Sequence, residues 1–180
     1  MKTIALFGGS FDPPHIGHEA VVREALKLKY VEKVVIMPTY QNPFKSSFYA
    51  PSTLRLKWLK MIFGSFKDVE ISNYEVNLNT KVSSIDSVKY LLKSYKKIYL
   101  IIGADNLKSL TKWDRYDELK TLVTFVVAHR DDIEIPENFL ELKVEESISS
   151  TELREHIEIK KLSKICSKEI VKFYKEKNDK

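Results

Sequence analysis

The sequence predicts an α/β fold, a doubly wound parallel sheet with helices on both faces. Three observations carry that reading: short runs of Val, Ile, Leu and Tyr too continuous for half-exposed strands, helical patterns between them, and a turn bearing glycines and histidines directly after the first run. Strand alternating with helix requires right-handed crossovers, which cover the sheet on both sides. At 180 residues the chain suits one domain spanning residues 1–180, with the helical residues 150–180 as a small C-terminal extension of it.

The apolar runs fall at residues 3–7, 33–37, 69–71, 98–102 and 122–128. The first leads into GGSFDPPHIGH, residues 8–18. There Gly8 and Gly9 let backbone approach a ligand with no Cβ in the way, and Pro13 and Pro14 stiffen the turn. A helix over 19–28 then aims its unpaired N–H groups and positive dipole at the same place, which makes a phosphate site. The second strand is followed by a loop, PTYQNPFKSSFYAP, over 38–51. Pro51 opens a helix over 53–63, where Trp58 shares helical spacing with Leu54, Met61 and Ile62 and so belongs to the core. Residues 76–83, VNLNTKVS, read as loop, and Ser83 with Asp86 makes a candidate capping box for a helix over 84–94. A further helix covers 114–120, and residues 130–146 form an acidic loop.

Composition narrows the class. With 43% hydrophobic and 31% charged residues the chain is neither disordered nor fibrous, and Cys166, its only cysteine, excludes a disulfide framework or a multi-cysteine zinc site. No apolar run approaches the length of a membrane span or a signal-peptide core, so a cytoplasmic protein with no membrane partner is expected. Of the net charge of +5, a net +3 sits in residues 155–180, eight Lys against five acids. Lys160, Lys161, Lys164, Lys168, Lys172 and Lys175 interleave there with Leu162, Ile165, Ile170, Val171 and Phe173 at helical spacing. That pattern describes the solvated face of a docked helix and gives no reason to expect nucleic acid as a partner. A homo-oligomer is compatible with the sequence.

His15 and His18 stand three apart at the head of the first helix, so both rings face one side and an imidazole can donate to a phosphate oxygen. No metal site is expected, because the other histidines are His129 and His156 and no Cys or Glu spacing completes a ligand set. Neither G-x-x-x-x-G-K-[ST] nor G-x-G-x-x-G follows the first strand, which argues against ordinary kinases and dehydrogenases. Far down the chain, in ISSTELR over 148–154, Ser149 or Ser150 can cap a new helix, Glu152 completes an S-x-x-E box, and the first-turn N–H groups can meet a triphosphate. Arg154, one turn further, either forks onto phosphate oxygens or pairs with Glu155 or Glu158.

These two stretches resemble the H-x-G-H motif (His15, Ile16, Gly17, His18) and the I-S-S-T-x-x-R element of the nucleotidyltransferase superfamily. Between them IIGADNLKSLTKWDRYDELKTLVTFVVAHR, residues 101–130, is similar to bacterial nicotinate-nucleotide adenylyltransferases. The resemblance implies a Rossmann-like fold and assigns ATP contacts to Gly8, Gly9, Ser10, Phe11, Gly17, Gly103, Asp105, Ile148, Ser149 and Ser150. It assigns the nicotinate nucleotide to Ser83, Ser84 and Trp113, the last stacking near the pyridine ring, and makes Lys45 of QNPFK a contact to the acceptor phosphate. Where the family often has Tyr-Thr, this chain has Ser83 and Ser84 in SSIDSV, so contacts made by a tyrosine ring are missing.

The implied reaction joins ATP and nicotinate mononucleotide to give deamido-NAD and pyrophosphate by in-line attack of the acceptor phosphate on the α-phosphorus. His15, His18, Lys45 and Arg154 are the catalytic set, and Mg²⁺ accompanies ATP. Nicotinamide mononucleotide or phosphopantetheine as acceptor, and a non-catalytic nucleotide- or RNA-binding module, are the competing readings.

Overall fold

The structure is a computed structural model, and it describes residues 1–42, 44, 47–129, 134–146 and 148–179. Six strands, β1 (Thr3–Gly9), β2 (Lys33–Pro38), β3 (Val69–Ile71), β4 (Lys97–Gly103), β5 (Val123–His129) and β6 (Leu140–Lys143), form one parallel sheet in the order β3-β2-β1-β4-β5-β6. The helices are α1 (Ile16–Leu26), α2 (Ser52–Phe63), α3 (Tyr74–Leu78), α4 (Ser84–Leu91), α5 (Tyr116–Leu122), α6 (Ser150–Glu155) and α7 (Ser167–Asn178), with 3-10 segments at Ala104–Lys112 and Ile159–Lys161. This is the Rossmann-like, doubly wound order, and its direction of progression reverses between β1 and β4.

Alternate residues of each strand enter different cores, as a sheet covered on both faces requires. Ala5, Phe7, Val34 and Ile36 pack with Val22 of α1, Trp58 of α2 and Tyr174 of α7. Ile4, Leu6, Val35 and Met37 pack on the other side with Ile85 and Val88 of α4 and Leu119 of α5. Trp58 is fully buried, as its spacing implies, and its Nε1 donates to Glu169 Oε1 at 3.2 Å. Helix α7 docks through Ile170 and Tyr174 while Lys168, Lys172 and Lys175 face outward; Ile165, expected on the packed side, is exposed just before the helix begins. Among the described residues no helix is long and apolar enough to cross a membrane.

Four elements differ from the sequence expectation. The region expected to be an acidic loop contains β6, an edge strand that among the described residues pairs with β5 alone and buries Leu142 of its four residues. The 76–83 loop overlaps a short helix, α3, and residues 104–112 coil as a 3-10 segment. Helix α1 begins at Ile16 rather than at residue 19, which makes His15 its N-cap and brings Gly17 and His18 into its first turn.

Candidate active site

The carboxyl ends of β1 and β4 meet at the reversal point, and everything at the site hangs from them. Past β1 the backbone N–H of His15 donates to His18 Nδ1 at 3.1 Å. An Nδ1 that accepts is unprotonated, so the neutral His18 ring carries its hydrogen on Nε2 as a donor. The two imidazoles stack with centroids 3.7 Å apart, and Phe11 sets its ring against His18 at 4.8 Å. Gly17 has a steric reason: a Cβ there would lie 2.9 Å from His15 Nδ1.

Helix α6 reaches the same place from the far end of the chain. Ser149 caps it, its hydroxyl accepting from the N–H groups of Thr151 and Glu152, so of the two candidate serines Ser149 is the cap. Ser150 Oγ donates to the Pro13 carbonyl at 3.0 Å. Arg154 donates to the Asp12 carbonyl at 2.7 Å and to Thr151 Oγ1 at 3.0 Å; the alternative pairing with Glu155 or Glu158 is not the one adopted. The buried Asp12 carboxylate accepts in turn from the N–H groups of Tyr49 and Ala50 and from the Tyr174 hydroxyl. Burial and the Asp12 charge push the Tyr174 phenol far above its ordinary range, so it stays a donor.

Two cavities open side by side. One, of about 310 Å³, is walled by His15, Gly17 and His18, by Gly103 and Asp105 beyond β4, and by Ile148, Ser149 and Ser150. The other, of about 210 Å³, is walled by Gly9, Ser83, Ser84 and Trp113. They share Phe7, Gly8, Gly103 and Asn106, so strand-end backbone is their common wall. Ser10 and Phe11 lie behind that wall: the Ser10 carbonyl accepts from Arg55, and Phe11 is buried with φ 49°, its ring 3.2 Å from where a Cβ on Gly9 would be. Arg154 is not among the residues that line either cavity; its guanidinium lies over the Tyr49 ring. Lys45 lies outside the described residues. The Ser83 hydroxyl donates to Asp86 Oδ2 at 2.8 Å, and Arg115 pairs with the other oxygen of that carboxylate, so the expected capping box is replaced by a side-chain bridge.

Sequence reasoning missed several wall residues. His129, Glu146 and Thr151 face the first cavity, and Thr39, Asn42 and Glu75 the second. His129 ends β5 as Gly103 ends β4, a position findable once the strand order is known. Arg55 was also missed: only 1% exposed, it donates to the carbonyls of Ala50, Ser10 and Tyr40, pinning both ends of the 40–50 loop against the β1 turn. Among the described residues no group of three or more His, Cys, Asp or Glu is placed to hold a metal ion.

Comparison with known proteins agrees with this geometry. The cytidylyltransferase-like family model matches residues 6–156. A "probable nicotinate-nucleotide adenylyltransferase" of Sulfurimonas denitrificans is 64% identical over 99% of this chain and 98% of its own length, and one of Campylobacter fetus is 47% identical over 97% and 98%. The Plasmodium falciparum nicotinic acid mononucleotide adenylyltransferase complexed with NaAD superposes with a TM-score of 0.79 at 19% identity, covering 97% of this chain and 98% of that one. Strand order, the two joined cavities and full-length identity converge: the chain belongs to the nicotinate-nucleotide adenylyltransferases of the cytidylyltransferase-like family.

Proposed function

We propose that this protein transfers the adenylyl group of ATP to nicotinate mononucleotide, releasing pyrophosphate and giving nicotinate adenine dinucleotide, a step of NAD biosynthesis. The observation that carries the reading is the pair of cavities sharing the Gly8 and Gly103 wall. Two substrates seated on either side of that wall bring an attacking phosphate and an α-phosphorus together at one point. An oxygen of the acceptor phosphate forms the new P–O bond, the bond from the α-phosphorus to its bridging oxygen breaks, and pyrophosphate leaves with that electron pair. The acceptor phosphate is already an anion, so positioning and charge neutralisation supply the catalysis and no general base is required.

In this mechanism the Nε2 hydrogen of His18 is donated to the α- and β-phosphate region, with His15 stacked behind it. Ser149 and Ser150, at the head of α6, and Arg154 hold the β- and γ-phosphates; Arg154 keeps N–H groups beyond the two bonds it makes to protein. Ser84 and Trp113 line the acceptor side, and Lys45 draws in the acceptor phosphate. Asp105, on the wall of the first cavity, would be the carboxylate to hold a Mg²⁺ that arrives with ATP. When bound it neutralises charge on the triphosphate.

The testing measurement is pyrophosphate release from ATP and Mg²⁺ with nicotinate mononucleotide, nicotinamide mononucleotide and phosphopantetheine as separate acceptors, beside His18→Ala. Release with the first, lost in the variant, is the expected result. Release only with another acceptor keeps the chemistry and overturns the substrate, and silence with all three overturns the enzyme.

A further inference from the structure

Arg154 is held in place by neutral groups. Its partners among the described residues are the Asp12 carbonyl at 2.7 Å, the Thr151 hydroxyl at 3.0 Å and the ring of Tyr49, whose centroid lies 5.1 Å from the guanidinium carbon. The carboxylate of Asp12 is turned elsewhere, onto the N–H groups of Tyr49 and Ala50 and the Tyr174 hydroxyl. A carboxylate paired with Arg154 would compete with any incoming phosphate. A ring face attracts the guanidinium through its quadrupole and leaves the formal charge and the remaining N–H groups to a ligand. Thr151 lines the first cavity, so the guanidinium stands one hydrogen bond behind that wall.

We propose that Tyr49 is a positioning residue for adenylyl transfer: its ring holds the Arg154 guanidinium in place to grip the terminal phosphates of ATP. The inference rests on the reading of Arg154 as the β- and γ-phosphate ligand. An arginine loses much rotamer freedom when it grips a phosphate, so a platform that fixes it beforehand strengthens the grip. Helix α6 gives little support of its own, being six residues long with Arg154 in its last turn.

Tyr49 is itself braced. Its N–H donates to Asp12 Oδ2 at 2.8 Å, its carbonyl accepts from Lys177 Nζ of α7, and its ring runs beside that of Tyr174 with centroids 6.5 Å apart and 24° between the planes. Lys177 Nζ also lies 5.4 Å from the Tyr49 centroid, so one ring gathers cations from α6 and α7. Asp12 anchors both partners, the ring's residue through its carboxylate and the guanidinium through its carbonyl, which fixes their separation. Tyr49 also belongs to the 40–50 loop, which carries Asn42 and Phe44 of the second cavity. A ring that served the loop alone would act on that side and not on the phosphates of ATP.

The experiment measures the dissociation constants of ATP and AMP, each with Mg²⁺ and without acceptor, by titration calorimetry. The proteins compared are wild type, Tyr49→Leu, Tyr49→Phe, Arg154→Ala and the Tyr49→Leu/Arg154→Ala double variant. Leucine keeps both main-chain bonds of residue 49 and removes only a ring that is 42% exposed, so the fold is retained. In Tyr49→Leu the affinity for ATP falls about 2- to 30-fold, the range of a cation–π contact from exposed to desolvated, while that for AMP, which lacks the phosphates in question, is unmoved. Tyr49→Phe recovers the ATP affinity. In the Arg154→Ala background Tyr49→Leu has no further effect, because the ring acts through the guanidinium. Unchanged ATP affinity in Tyr49→Leu, equal losses for ATP and AMP, or losses that add in the double variant overturn the proposal. If Tyr49→Leu does not fold by circular dichroism, pentafluorophenylalanine at position 49 serves instead: it keeps the ring's shape and strips its negative face, and ATP affinity equal to that of Tyr49→Phe overturns the proposal. Unchanged ATP affinity in Arg154→Ala fails the reading of Arg154 as a phosphate ligand and the proposal with it, a result distinct from an Arg154 contribution that survives loss of the ring.

Discussion

His15 lies back over Gly17, where a side chain of any size would push its ring aside, and this contact separates stability from activity. Alanine is a better helix former than glycine by about 1 kcal/mol, which offsets part of the cost of moving the buried His15 ring, so Gly17→Ala in the first turn of α1 shifts the melting temperature by only a few degrees. The same substitution displaces His15 and loosens its stack with His18, and adenylyl transfer is expected to fall about tenfold or more through lost positioning of the phosphate donor. Thermal melts and pyrophosphate release on the one variant check both halves. His18 allows a similar separation. Asparagine can offer its amide oxygen to the His15 N–H in place of Nδ1 but cannot reproduce the Nε2 donor. His18→Asn is therefore expected to fold as the wild type does and to lose about 10²- to 10³-fold in kcat, the usual scale for removing one preorganised donor. Both residues stand out in the sequence because they belong to one short contiguous motif. Thr39, Asn42 and Glu75 were not, since their role depends on which elements the fold sets around the second cavity.

Among the elements, hydrophobic continuity found β1 to β5 and missed β6, and the reason lies in the composition of that strand. Its four residues, LELK, alternate apolar with charged side chains and so leave no continuous apolar run to read. Helix α3 escaped for a related reason: its five residues bury one valine and one glutamate, too little for a periodic signal. Arg55 shows the converse limit. Its sequence neighbours place it on a helix at a spacing any exposed arginine could have, and only the fold reveals that it binds three loop carbonyls. Arg55→Met keeps much of the aliphatic stem but strips hydrogen bonds from the carbonyls of Ser10, Tyr40 and Ala50. Each acceptor left unpaired costs about 1–3 kcal/mol, so the urea midpoint should fall by an amount equivalent to about 3 kcal/mol or more. Because the 40–50 loop carries Asn42 and Phe44 of the second cavity's wall, where the acceptor is proposed to sit, KM for the acceptor is expected to rise more than KM for ATP. Equal rises would mean that the arginine supports the β1 turn alone.

At the scale of the whole molecule, residues remote in sequence close on Asp12. Its carbonyl holds Arg154 of α6, and its carboxylate gathers the 40–50 loop and the hydroxyl of Tyr174 of α7, 162 positions away. Helix α7 adds Asn178, which donates to the Arg154 carbonyl at 2.9 Å, so the basic tail contributes to the architecture that holds α6 in place. The sequence indicated that this tail docks; it could not indicate what the helix touches, because a contact of that separation leaves no local pattern. Tyr174→Phe tests the closure with the loss of one oxygen. A hydrogen bond to a charged group contributes about 1.5–3 kcal/mol, so the variant is expected to be less stable by that amount near neutral pH, measured by urea unfolding. The pH dependence gives a second reading with a fixed sign. The folded phenol is raised above its ordinary value near 10, so its contribution is fully present below about pH 10 and is lost as the unfolded chain's phenol begins to ionise. Wild type and Tyr174→Phe should therefore differ by a constant amount from neutral pH to about 10, and the gap should narrow above it. A gap that is absent at neutral pH, or that does not narrow above about 10, would place the Tyr174 hydroxyl in solvent and detach α7 from the site.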